Sequence, residues 1–136
     1  MAAIAPIVIS DGAATPVSHT FNPITSSPVS LYRDQVASLP LVGQATITVS
    51  MKLDAGSGLN KVKIVLASPV VETIGTVGSS GYVAGPKVAF VNKVNLDFIL
   101  PSRGTPQNRQ DLRMMLSNLL SNAQIIDTIN NMSPPY

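Results

Sequence analysis

VAFVNKVNLDFILP, residues Val88–Pro101, alternates along nearly its whole length. Val88, Phe90, Val94, Leu96, Phe98 and Leu100 share one face, with Asn92 the only polar residue among them. Lys93, Asn95 and Asp97 share the other face with Ala89, Val91 and Ile99. Period two over this length predicts a long strand with one buried face. The outer face carries a cation, an amide and an acid, so it meets either water or a polar ligand.

The same pattern recurs upstream. Over residues 43–53, Ile47, Val49, Met51 and Leu53 face one way, and Thr46, Thr48, Ser50 and Lys52 the other. DAGSG (54–58) is a turn of small residues. The return strand, 60–66, sets Val62, Ile64 and Leu66 against Lys61 and Lys63, and the two runs predict an antiparallel hairpin. Residues 4–10 and 17–21, separated by the turn dipeptide Asp11-Gly12, predict an N-terminal hairpin. FNPITSSPVS reads as a polar loop, and 30–36 as a short strand. The stretch 69–86 begins as a strand extension and continues as a long loop holding Gly75, Gly78, Gly81 and Gly85. Loops of this length in compact domains tend to be functional.

After Pro101 the period changes. Thr105 predicts a helix cap with Pro106 at the first helical position. Leu112, Met115, Leu116, Leu119 and Leu120 recur at helical spacing, while Asn108, Arg109, Arg113 and Ser117 lie off that stripe. Arg109, Asp111 and Arg113 are expected on the exposed face. A break at Ser121-Asn122 precedes a second short helix marked by Ile125, Ile126 and Ile129.

The 136 residues suffice for a single domain, 1–136, with the hairpin at 1–22, the sheet at 30–101 and the helices at 105–133. Strands first and helices last predicts an α+β fold, with helices on one face of an antiparallel sheet. Two short helices are too little to cover at least five strands. A homodimer that shares helices across a continuous sheet resolves this shortage.

Composition narrows the chemistry. With no cysteine, disulfides and Cys-ligated metals are excluded. No apolar run approaches the roughly 18 residues of a membrane span. MAAIAPIVIS lacks a basic n-region and is not read as a secretory signal, so synthesis in the cytoplasm is expected. His19 is the sole histidine and has no acid at a recognisable spacing, so it reads as structural. Neither a nucleophilic triad nor a metal cluster is indicated, no cofactor is expected, and the glycine-rich loop lacks phosphate-cradling spacing.

The lysines carry more information. If the apolar faces pack together, Lys52, Lys61, Lys63 and Lys93 gather on the opposite side with Thr46, Thr48, Ser50 and Asn95. Such a surface suits RNA, with lysine for phosphates and hydroxyl or amide groups for bases and sugars. Pattern alone leaves two readings open: an ordinary solvated sheet face, or an RNA face on which Asp97 is an adverse charge.

Taken together, the hairpin TITVSMKLDAGSGLNKVKIVLASP, the loop VVETIGTVGSSGYVAGP, the strand VNKVNLDFILP, the cap-and-helix run TPQNRQDLRMMLSNLLSN and the final Pro-Pro-Tyr resemble the coat proteins of single-stranded RNA bacteriophages, the levivirus type. The resemblance implies a five-stranded antiparallel sheet preceded by an N-terminal hairpin. It also implies two C-terminal helices reaching over the sheet of a partner chain, with Leu112, Met115, Leu116, Leu119 and Leu120 at that contact. Its further implications are an icosahedral shell lined by the sheet, a packaged RNA genome, and an RNA hairpin bound by the dimer to repress translation. By strand position, RNA contacts fall to Thr48, Ser50, Lys52, Lys61, Lys63, Asn95 and Asp97. Lys93 stands where well-studied members place a base-stacking tyrosine, which implies a phosphate contact instead. The segment Ile74, Gly75, Thr76, Val77, Gly78, Ser79, Ser80 and Gly81 matches the loop that differs between symmetry environments. A β-rich pilus or adhesion subunit is the rival; it requires export, for which no signal is read. An enzyme ranks third.

Overall fold

The computed structural model describes residues 3–72, 81 and 85–135. Six strands form one antiparallel sheet in chain order: β1 (Ile7–Ser10), β2 (Ser18–Thr25), β3 (Val29–Asp34), β4 (Thr46–Lys52), β5 (Leu59–Val71) and β6 (Val88–Pro101). Helices α1 (Pro106–Leu120) and α2 (Ala123–Asn131) follow. The N-terminal hairpin is therefore continuous with the expected five-stranded sheet, because β2 is longer than its alternation suggests. It runs through Pro23 to Thr25, across the stretch read as a loop, and pairs with β3. The register shifts between Pro23 and Thr25, an irregularity of the kind that accommodates a proline in a strand.

β5 is also longer than expected. It continues through Pro69 because β4 begins at Thr46, opposite Ala67. Beyond Ala67, β5 pairs only with β6, so a residue lacking an N–H is tolerated on the open side. Pairing of β4 with β5 is closed by Asp54, whose backbone carbonyl accepts from Gly58 N–H at 3.0 Å. Gly58 adopts φ 65°, a conformation that costs glycine little. A short 3₁₀ turn, Leu41–Gly43, leads into β4, and a Cβ at Gly43 would collide with Val71 Cγ2. Of the long loop, Ile74, Gly75, Thr76, Val77, Gly78, Ser79 and Ser80 lie outside the described residues; Gly81 adopts φ 70°.

Thr105 caps α1, its hydroxyl accepting from Asn108 N–H at 3.2 Å, with Pro106 in the first turn. Asn122 caps α2 in the same manner through Gln124 N–H at 3.0 Å. Arg109 departs from expectation. It is half-buried and its Nη1 donates to the Gly104 carbonyl at 2.6 Å, tying the helix to the preceding turn.

The core of one chain is small. Among the described residues, only Phe21 and Ile47 are buried hydrophobic side chains. Neither helix buries any residue. Met51, Phe90 and Val94 on the apolar sheet face, and Met115 and Leu119 on α1, are all at least half exposed. An apolar sheet and an apolar helix stripe thus stand side by side in one chain without covering each other.

Candidate nucleic-acid interface

Directly opposed residues in an antiparallel ladder point to the same face. The register therefore assigns every strand side chain. Lys52 lies opposite Lys61, which lies opposite Ile99. The next row is Val29, Ser50, Lys63 and Asp97. Beyond it come Leu31, Thr48, Val65 and Asn95, and then Arg33, Thr46, Ala67 and Lys93. All nine residues read from sequence as an RNA surface thus share one face. Arg33 joins them. Its stretch, SLYRD, mixes polar and apolar residues at both parities, so alternation could not assign its side.

The four lysines do not form one cluster. Lys52, Lys61 and Lys63 crowd one end of the β4–β5 hairpin. Lys93 sits in the row of Ala67, six residues along β5 from Lys61, or about 20 Å at the rise of a strand. Between the two ends runs a lane of hydroxyls, Thr46, Thr48 and Ser50, all half-buried. Asp97 is the only acid among the strand residues of this face. It lies directly opposite Lys63 yet forms no ion pair with it, since the ion pairs among the described residues all belong to His19. Asp54, in the turn beside Lys61, is occupied locally. Its Oδ2 accepts from Ser57 Oγ at 2.7 Å, and its Oδ1 from Gly56 N–H at 3.1 Å. These bonds, that of the Ser57 hydroxyl foremost, hold its carboxyl below the ordinary carboxylate range.

The opposite face is mainly apolar, with Ser30, Asn60, Ser68 and Asn92 among its residues and a charged cluster near β2. There His19 Nδ1 lies 2.6 Å from Asp34 Oδ2, and Nε2 lies 3.4 Å from Asp11 Oδ2. Asp11 Oδ1 also accepts from Val17 and Ala13 N–H, tying down the β1–β2 connection. The hydrogen bond to Asp34, then that to Asp11, raises the His19 pKa above its usual value. The backbone bond from Val17, then that from Ala13, lowers the Asp11 pKa. The carboxylates sit at opposite ring nitrogens, so His19 bridges them instead of joining them around a common ligand. No group of three or more metal-ligating side chains occurs among the described residues. His19 is structural, but its two acid partners, 8 and 15 residues away, follow no spacing rule that a sequence could show.

The whole chain was compared with known proteins. Residues 2–136 match the family model described as levivirus coat protein. The chain belongs to the levivirus coat protein family. Its members are structural capsid proteins, not enzymes. Among solved structures, the subunit of the virus-like particle of bacteriophage ESE058 is similar at 30% identity and TM-score 0.90, over 99% of this chain and 100% of that one. The corresponding protein of bacteriophage NT-214 is 28% identical, with TM-score 0.84 and the same coverage. The capsid protein of bacteriophage GA shares the fold at 17% identity and TM-score 0.73, over 94% of each chain. No curated protein matches. Among the described residues, no helix is long and apolar enough to cross a membrane. With the family shown, the rival pilus or adhesion reading falls away, and the chain takes its place as a virion component.

Proposed function

We propose that this coat protein dimerises through β6, assembles into a closed icosahedral shell, and holds single-stranded RNA against the polar face of its sheet. One observation carries the RNA reading: all five Lys and Arg residues of the strands lie on one face, and none lies on the other. An amphipathic sheet keeps its charges off the apolar face in any case, but here the polar face carries five cations against one acid, Asp97, an imbalance that suits an anion. Lys52 and Lys61 are also directly opposed, an arrangement that costs stability unless an anion relieves it.

Dimerisation follows from the two surfaces that one chain leaves open. β6 is a terminal strand of 14 residues with an unpaired edge, whereas the other edge, β1, has 4. A long open edge is a template for pairing with a second copy. Pairing there extends the sheet, and the α1 stripe of Leu112, Met115, Leu116, Leu119 and Leu120 can then cover the partner's apolar face. The virus-like particles formed by the similar phage proteins support the shell. A dimer with a continuous polar face offers an RNA hairpin both phosphate and base contacts, and binding there would repress translation of the RNA that contains it. The segment 74–81, with glycines at 75, 78 and 81, is proposed to carry contacts that differ between positions in the shell.

The test is electron microscopy of the protein expressed alone, with absorbance at 260 and 280 nm on the same fraction. Uniform closed particles rich in nucleic acid are expected. Closed particles without RNA would overturn the basic-face reading and leave the shell. A monomer with no RNA affinity would overturn both.

A further inference from the structure

The row Arg33–Thr46–Ala67–Lys93 differs from the lysine-rich end in three respects. First, it contains no acid. Asp97 lies two rows away on the same face, and Asp34, although next to Arg33 in sequence, points to the other face with His19. The lysine-rich end has Asp97 opposite Lys63 and Asp54 in the adjoining turn. Second, the row has tall banks and a low floor. Arg33 and Lys93 stand three strand spacings apart, about 14 Å, with only Thr46 and Ala67 between them. Third, Arg33 is chemically incomplete. It makes no ion pair among the described residues, and its Nε is shut off from solvent without a hydrogen-bond partner. With Nε packed inside, the planar fork for a phosphate is left to the two terminal amino groups, which make no ion pair among the described residues.

We propose that Arg33 and Lys93 form a second phosphate-binding row, so that one RNA strand runs along the Thr46–Thr48–Ser50 lane and is held at both ends. This rests on the RNA reading above and adds Arg33 to it as a contact in its own right. The two ends grip in different ways. Lys52, Lys61 and Lys63 act as mobile point charges, whereas Arg33, packed down with its Nε shielded, presents a fixed donor set. A protein carboxylate is the weaker candidate for the missing acceptor. Arg33 is three strands in from the β6 edge, beyond a copy paired there, and its own face has no acid nearby.

The separation of about 20 Å between the two ends predicts a dependence on RNA length. The experiment measures the salt dependence of binding by RNA-free coat protein to single-stranded oligoribonucleotides of graded length, for the parent, Arg33→Gln, Arg33→Lys, Lys93→Gln and Lys61→Gln. On long oligomers, Arg33→Gln and Lys93→Gln should each lower the slope of log K against log salt by about 0.7, the value per phosphate contact on single strands. Arg33→Lys should retain the slope. On oligomers too short to reach both ends, Lys61→Gln should lower the slope and Arg33→Gln should not. The proposal is overturned if Arg33→Gln matches the parent at every length while Lys61→Gln still lowers the slope; the RNA face would then survive without its second row. If Lys61→Gln is also without effect, the RNA face itself fails. An Arg33→Gln protein that assembles poorly with an unchanged slope would assign Arg33 to a carboxylate of a neighbouring copy, and overturn the proposal. Should Arg33→Gln not fold, Lys93→Gln decides: no loss of slope on long oligomers refutes the row.

Discussion

Replacing Lys61 with threonine should move two properties in opposite directions. Lys61 lies directly opposite Lys52, and Lys63 stands on the same face one row further on. Like charges placed directly opposite destabilise a sheet by roughly 0.2–1 kcal/mol. Two ammonium groups about 7 Å apart in water repel by about 0.6 kcal/mol before screening. With a Debye length of about 30 Å at 0.01 M salt and about 8 Å at 0.15 M, roughly 0.5 and 0.25 kcal/mol of that survive. The Asp54 carboxylate in the adjoining turn keeps its charge and offsets part of this repulsion, so these figures are upper bounds. Threonine also favours strands more than lysine, by a few tenths of a kcal/mol that do not depend on salt. RNA-free Lys61→Thr protein should therefore be more stable than the parent, with an advantage larger at low salt by up to about 0.25 kcal/mol. Its RNA affinity should fall, and the salt slope should drop by about 0.7. Denaturant unfolding at matched protein concentration reads the first effect, and a salt titration of RNA binding the second. A stability gain with an unchanged RNA slope would make this an ordinary solvated face. No gain at low salt would refute the repulsion on which the reasoning rests.

Other consequences are simpler to read. His19→Gln should remove a pH dependence of the β1–β2 hairpin. The His19 pKa is raised in the fold, so its contribution is complete below the unfolded value of about 6.5 and is lost as pH rises through the folded value. Protection of the β1 and β2 amides, relative to intrinsic exchange at each pH, should fall across that range in the parent and stay level in the variant; parallel profiles would contradict the bridge. Thr105→Ala should cost about 1 kcal/mol by leaving the Asn108 N–H without its cap, measurable by denaturant unfolding, whereas Thr105→Ser should be nearly neutral. Gly43→Ala should destabilise by roughly 1–3 kcal/mol because the new Cβ meets Val71 Cγ2, and Val71→Ala should recover part of that loss. Leu119→Asp, on the exposed stripe of α1, should abolish dimers in sedimentation while leaving the α1 cap intact; an unchanged dimer would remove α1 from the interface.

Much of this molecule is legible without coordinates, for a definite physical reason. Alternation in β4, β5 and β6 is nearly free of faults, so the face of Thr48, Lys61 or Asn95 follows from parity alone. The Thr105-Pro106 cap and the break at Ser121-Asn122 are local events that neighbouring residues dictate. Even the shortage of cover shows, as an imbalance between the apolar area of five strands and what two short helices supply.

Position along a face is another matter. Parity places Lys93 on the side of Lys61, but only the β5–β6 register puts it beside Ala67, in the row of Arg33, far from the other lysines. Parity fails altogether for Arg33 and for β2, where Pro23 and the register shift interrupt the alternation. The His19 bridge joins residues from three separate segments. Alternation and caps are properties of adjacent residues, so the sequence by itself determined the elements, their inward faces and the shortage of cover. Rows, bridges and the place of β6 at an open edge depend on pairing between residues far apart in the chain, and only the tertiary structure decided them.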